Sequence, residues 1–175
     1  RKIIHLYNRY FLSFEQQALK AGVRMGKDNQ FVSNFWSSEP YLIEIGDDCQ
    51  ITAGVKFFTH GGAKVARIID PTFDYFGKVK IGNNVYIGTN SLIMPGVTVG
   101  NNVLIAAGSV VTHSVPDNVV IGGNPAHIIC SFEDYYKKNK LYNTGTKGLS
   151  SEAKMQVLLR LEDIKFIKKK MLNFK

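Results

Sequence analysis

Stepping by six residues from Ile81 meets Ile87, Ile93, Val99, Ile105 and Val111. Every one is Ile or Val, although these two types supply only 31 of the 175 residues, so the phasing is not a chance one. The position four residues further on is also restricted: Val85, Ser91, Val97, Val103, Ser109, Val115. The position just after each step is usually small, with Gly82, Gly88, Gly100 and Ala106 against Met94 and Thr112. A six-residue period is too short for a helix–turn–helix unit and fits a short β-strand followed by a turn. Ile and Val suit a pleated surface, and small residues let successive turns pack closely. Three hexads close a triangular coil of about 18 residues, and stacked coils bury an aliphatic column. Residues 81–98 and 99–116 give two complete coils. Ile45, Ile51 and Phe57 open an earlier one, with Cys49, Val55 and Gly61 four positions on, and Met25-Gly26 and Phe31 mark a still earlier, irregular one. The pattern predicts a mainly β protein, a parallel β-helix. The competing reading is an antiparallel β domain, but hairpin proteins repeat at roughly 8–12 residues with variable turns.

Between Gly62 and Val79 the rhythm stops. Asp70-Pro71 marks a turn, and Phe73, Tyr75 and Phe76 form an aromatic cluster. An excursion loop over 61–78 is expected, of the length that compact folds keep for function. His60, in "FFTHGG" (57–62), stands at its root. The plain reading is a loop histidine. The sharper one is a proton-transfer residue, because a rigid coil fixes an imidazole and imidazoles titrate near neutrality.

The ends differ in pattern. Ile3, Ile4, Tyr7, Tyr10, Phe11, Phe14 and Ala18 fall three or four apart and predict an amphipathic helix within 1–24. Packing on the β-helix or on a neighbouring subunit is preferred for it over a membrane-surface contact aided by Arg1, Lys2 and Arg9. The β-helix domain is expected over 25–130, and a C-terminal helical extension over 131–175. Within the extension, "SFEDYYKKN" (131–139) begins with Ser131 as a helix cap, and 140–150 reads as a linker. A second helix is predicted over 151–172, with Met155, Leu158, Leu161, Ile164, Ile167 and Met171 along one face.

Composition adds bounds. A hydrophobic fraction of 45% and a charged fraction of 21% fit one globular domain with an appendage. The net charge is +8, and Lys165, Lys168, Lys169, Lys170 and Lys175 crowd the C-terminus, read as a solvated helix end. No recognition-helix or aromatic RNA-binding motif accompanies them, so no nucleic-acid partner is expected. No stretch approaches the roughly 20 apolar residues of a membrane span, and the start, Arg1, carries no signal-peptide pattern and is expected of a trimmed chain. Cys49 and Cys130 read as buried thiols in a reducing cytoplasm. No metal is expected: His5, His60, His113 and His127 include no close pair, which argues against a metal-dependent β-helix hydratase of the γ-carbonic-anhydrase type.

The stretch "IGNNVYIGTNSLIMPGVTVGNNVLIAAGSVVTHSVPDNVVIGGNPAHII" (81–129) resembles the terminal coils of the hexapeptide-repeat, left-handed β-helix acyltransferases. The subset it resembles most is the galactoside, maltose and xenobiotic acetyltransferases, with relatives that O-acetylate bacterial surface polysaccharides. The resemblance covers roughly residues 25–130. It rests on the hexads together with Thr59-His60 at the excursion, "NNVYIG", "AGSVVT" and "GNPA". It implies a homotrimer in which acetyl-CoA and a saccharide acceptor meet between subunits. It gives His60 the role of general base on an acceptor hydroxyl, which then attacks the thioester, and it makes Asn34 of "FVSNF" an acceptor-binding residue. It places Tyr86, Thr89, Ala107, Thr112, His113 and His127 along the coenzyme. His113 replaces a usual lysine, and His127 with Cys130 replaces basic residues that meet nucleotide phosphates in relatives; a neutral His is a poorer phosphate partner. The group orienting His60 stays open among Asp70, Asp74, Glu39 and a backbone carbonyl. N-acetylation of an amino sugar competes within this reading. The alternative outside it is a non-catalytic β-helix scaffold, which would keep the hexads without needing His60, Asn34 and Thr89 together.

Overall fold

The computed structural model of the chain describes residues 11–171. The part of the expected N-terminal helix before residue 11 lies outside them. Its second half is present as α1 (Phe14–Ala21), opened by a capping box between Ser13 and Gln16 and closed by Gly22. Then come β1 (Arg24–Met25), β2 (Gln30–Phe31), β3 (Ile43–Ile45), β4 (Gln50–Ile51) and β5 (Lys56–Phe57). A short helix, α2 (Ala63–Ala66), stands in the excursion. The regular coils follow as β6 (Val79–Ile81), β7 (Val85–Ile87), β8 (Leu92–Ile93), β9 (Thr98–Val99), β10 (Val103–Ile105) and β11 (Val110–Val111). β12 (Val119–Gly123) and β13 (Ala126–Ser131) come last in a compact unit that ends at Phe132.

The strands form three faces. One holds β1, β3, β6 and β9; the second β2, β4, β7, β10 and β12; the third β5, β8 and β11. All these pairings are parallel, and their register follows the hexads. Ile45 pairs with Ile81 and Ile81 with Val99; Ile51 with Ile87 and Ile87 with Ile105; Phe57 with Ile93 and Ile93 with Val111. The irregular first coil is also present, Met25 pairing with Ile45 and Phe31 with Ile51. From Ile45 to Val111 each of these steps is buried, Met25 and Phe31 of the irregular coil being partly buried, and the residue four further on in each regular hexad is buried too. Ser91 and Ser109 are buried at that position without penalty, because both hydroxyls donate to the Ala106 carbonyl, at 3.1 and 2.6 Å.

The small residues are required by how closely the coils approach. A Cβ on Gly88 would lie 2.5 Å from the Ala107 nitrogen, and one on Gly82 2.7 Å from the Gly100 backbone. At the corners Asn84, Asn102 and Asn118 adopt left-handed φ of 52°, 55° and 60°, a conformation Asn tolerates. Their amides form a ladder, Asn84 donating to Asn102 at 2.8 Å and Asn102 to Asn118 at 2.9 Å. Beside it the side chains of Asp47, Asn83, Asn101 and Asp117 each accept the backbone N–H of a residue in the preceding coil.

Three expectations are corrected. Residues after Ile121 do not continue the coil: β13 turns back antiparallel on β12 across Asn124-Pro125, where proline cannot donate to a ladder. His127 and Cys130 therefore sit on a hairpin strand. Cys130 is half-buried, whereas Cys49 is buried, which pushes its thiol pKa up. The helix predicted over 151–172 is cut short. The second unit begins at Glu133, one residue into α3 (Phe132–Asn139), and holds α4 (Ser151–Leu159), capped by Ser150. No residue of α4 is buried, and a helix this short gains little without packing. Of the lysine run, Lys165 closes a 3-10 turn and Lys168, Lys169 and Lys170 follow without regular structure rather than at an α-helix end, and Lys175 lies outside the described residues. Among the described residues no helix is long and apolar enough to cross a membrane.

Candidate active site

β5 delivers Thr59 and His60 to the corner from which the excursion leaves. The excursion is closed at its base, His60 bridging to Phe76 as an antiparallel pair and the Gly77 N–H donating to the Thr59 carbonyl at 2.8 Å. The turn at Asp70 is real: Asp70 accepts from the Thr72 N–H and hydroxyl. Phe73 and Tyr75 pack with ring centroids 5.7 Å apart, and Phe76 sits edge-on to the His60 ring at 6.2 Å.

The structure selects Glu39 as the partner of His60. His60 Nδ1 lies 2.8 Å from Glu39 Oε2, and the same oxygen accepts the Thr59 hydroxyl at 2.6 Å. Ser37 in turn stands 2.8 Å from the Thr59 hydroxyl, completing a chain of bonds behind the carboxylate. The Thr59 hydroxyl, and after it His60 and Ser38, hold the Glu39 carboxyl below its ordinary pKa against the opposing effect of burial. Glu39 is therefore a carboxylate near neutrality and only accepts. The neutral His60 ring must carry its proton on Nδ1, which leaves the Nε2 lone pair as the proton acceptor. The Glu39 side chain is 16% exposed and that of His60 42%, so the anchor is sheltered and the ring reaches solvent. A pocket of about 370 Å³ opens beside it, lined also by Lys64, Arg67, Asp74 and Phe76. The other two acids considered are engaged elsewhere, Asp70 in its turn and Asp74 with Arg67 at 3.6 Å.

The remaining candidates are not brought to His60 within one chain. Asn34 is exposed, and its backbone carbonyl accepts from Lys56 Nζ at 2.7 Å. Thr89 and Ala107 share a different corner, after the second face, where the Gly108 N–H donates to the Thr89 carbonyl at 2.8 Å. The Thr89 hydroxyl donates to Thr52 at 3.3 Å. Tyr86 projects outward from β7 and is exposed. Thr112 and His113 bond to each other at 2.9 Å. His113 and His127 line one small cleft of about 140 Å³ between the last coil and the hairpin. Sequence reasoning missed Lys64 and Arg67, which carry no motif, and the one signal for Glu39 was its separation of 21 residues from His60, close to one coil.

Residues 78–113 match the family model described as bacterial transferase hexapeptide (six repeats). Protein CapG of Staphylococcus aureus is 48% identical over 157 residues, covering 87% of this chain and 91% of that protein. The chain belongs to the hexapeptide-repeat transferase family. Among solved structures, a maltose O-acetyltransferase from Clostridium difficile 630 is 28% identical with a TM-score of 0.60, over 74% of this chain and 82% of that one. A galactoside acetyltransferase in complex with coenzyme A is 26% identical with a TM-score of 0.55, over 70% and 72%. The hexapeptide-repeat coils are thus those of a left-handed parallel β-helix, and the chain is an acetyltransferase of this family.

The Glu39 contact has a pH signature. Because its folded pKa is lowered, the stability it contributes is present above the ordinary carboxyl range and is lost as pH falls through the lowered value. The Tm of wild type should exceed that of Glu39→Gln at neutral pH, and the gap should close on acidification. A gap that is constant from neutral to strongly acidic pH refutes the charged contact.

Proposed function

We propose that the protein transfers an acetyl group from acetyl-CoA to a sugar hydroxyl in bacterial surface-polysaccharide biosynthesis, in the cytoplasm, with His60 as general base. The observation that carries this reading is the Glu39–His60 pair at the root of the closed excursion, with an open pocket beside it. The chemistry needs one base. An acceptor hydroxyl gives its proton to His60 Nε2 as its oxygen attacks the thioester carbonyl, and Glu39 holds the ring and balances the imidazolium that forms. The coenzyme thiol then leaves and takes the proton back. A sugar is favoured by the names of the maltose and galactoside enzymes, and oxygen over nitrogen by the first of them.

Asn34 is assigned to the acceptor, and Tyr86, Thr89, Ala107, Thr112, His113 and His127 to the coenzyme. His60 follows a third-face strand, as Thr112 and His113 do two coils on, whereas Thr89 and Ala107 follow second-face strands, so His60 and the Thr89–Ala107 pair occupy different corners of one prism. A site that uses both takes them from adjacent chains, which supports a homotrimer. Acetyl-CoA binding measured by calorimetry tests the reading without knowledge of the acceptor. Saturable binding, competed by coenzyme A, is expected. Thr89→Trp, which adds bulk at the corner where Ala107 leaves room, should abolish it. Binding of full strength to Thr89→Trp moves the coenzyme elsewhere, and no binding by wild type at millimolar coenzyme favours a scaffold.

A further inference from the structure

Residues 133–175 hold eleven Lys or Arg and five Asp or Glu, so six of the eight excess positive charges lie in this second unit. The concentration sharpens after Asp163. Residues 164–171, "IKFIKKKM", contain nothing but lysine and large apolar side chains, and no acid follows before the end of the sequence. Ile164 and Lys165 belong to a 3-10 turn, Asp163–Lys165, and residues 166–171 carry no regular secondary structure. All eight residues are exposed, Met171 by 87%, Ile164 by 75% and Ile167 by 52%. Lys168 lies 3.7 Å from Asp163, and among the described residues Lys165, Lys169 and Lys170 make no ion pair. The acids nearest in sequence are Glu162 and Asp163.

We infer that residues 164–171 bind an anionic membrane surface. A solvated tail gains nothing from exposed Phe and Ile, and a protein-packing face would not interleave them with four lysines. A bilayer with anionic headgroups takes both kinds of residue, the lysines at the charged surface and the apolar side chains in the boundary beneath it. The charge complementarity is with phosphate-bearing lipid, and the apolar residues separate it from a free polyanion such as nucleic acid. The contact is peripheral and salt-sensitive.

The test uses the whole chain, sedimented with vesicles of pure phosphatidylcholine or of an equimolar mixture with phosphatidylglycerol. Binding is expected to the mixture alone and should fall as salt rises. K168E/K169E/K170E should weaken it by about a hundredfold. F166S/I167S should weaken it by about tenfold while keeping the salt dependence. Neither variant touches a buried residue, and unchanged circular dichroism verifies the fold. Equal binding to both vesicles, no binding to either, or undiminished binding by the triple variant overturns the inference. So does retention of vesicle binding by F166S/I167S at full strength, which would leave a purely electrostatic tail.

Discussion

Alanine at position 60 is expected to cut acetyl transfer by about two to four orders of magnitude. The loss should fall on turnover. His60 is exposed and joins Phe76 through backbone pairing, which alanine keeps, so the excursion stays closed. What disappears is the one ring nitrogen that Glu39 leaves free to accept a proton. Acetyl-CoA binding should be unchanged, because Thr89 and Ala107, assigned to the coenzyme, lie at another corner of the prism. A folded His60→Ala protein that binds acetyl-CoA and transfers acetyl at a near-normal rate would remove the base from this reading. Equal loss of binding and transfer would instead show that the substitution had disturbed the site as a whole.

The column of coils was legible because its cause is periodic. Each step such as Ile87 must fill the same place in the prism as Ile51 and Ile105, so the requirement repeats along the chain. His60 was legible as the residue at which that requirement lapses. Glu39 was visible only as one of several acids, since nothing local marks it; coil stacking carries it to His60 from the preceding turn. The Asn and Asp spines look like ordinary turn residues until the coils are stacked, when each side chain caps a neighbour's N–H. The predicted helix over 151–172 failed for the opposite reason. Its stripe was read from spacing alone, and beyond Leu159 the residues 162–171 are all exposed, so nothing buries Ile164, Ile167 and Met171 to hold a longer helix. The hairpin after Ile121 was masked by its apolar residues, which continue in sequence after the coil's stacking partner has ended.

The column also predicts where stability resides. Ile87 is fully buried at the middle of the second face, stacked between Ile51 and Ile105. Ile87→Ala removes three carbons from a site whose neighbours cannot close in, because the coil spacing is fixed by ladder hydrogen bonds and by glycine contacts such as Gly88 on Ala107. The cost should be about 2–5 kcal/mol, the lost transfer energy plus that of an unrelaxed cavity. Tyr86→Ala, one residue earlier and pointing outward, should cost far less, because the Tyr86 side chain is exposed. Denaturant unfolding of the two variants makes the comparison, with equal m-values required for it to be read as stability. Comparable losses at 86 and 87 would contradict the inward–outward alternation on which the prism rests. The Ile87 variant has a second consequence. Thr89 sits two residues along, held by the Gly108 N–H of the next coil and by Thr52 of the previous one. Loosening the column beneath it should weaken acetyl-CoA binding without touching His60, so affinity should fall while the turnover of bound coenzyme holds.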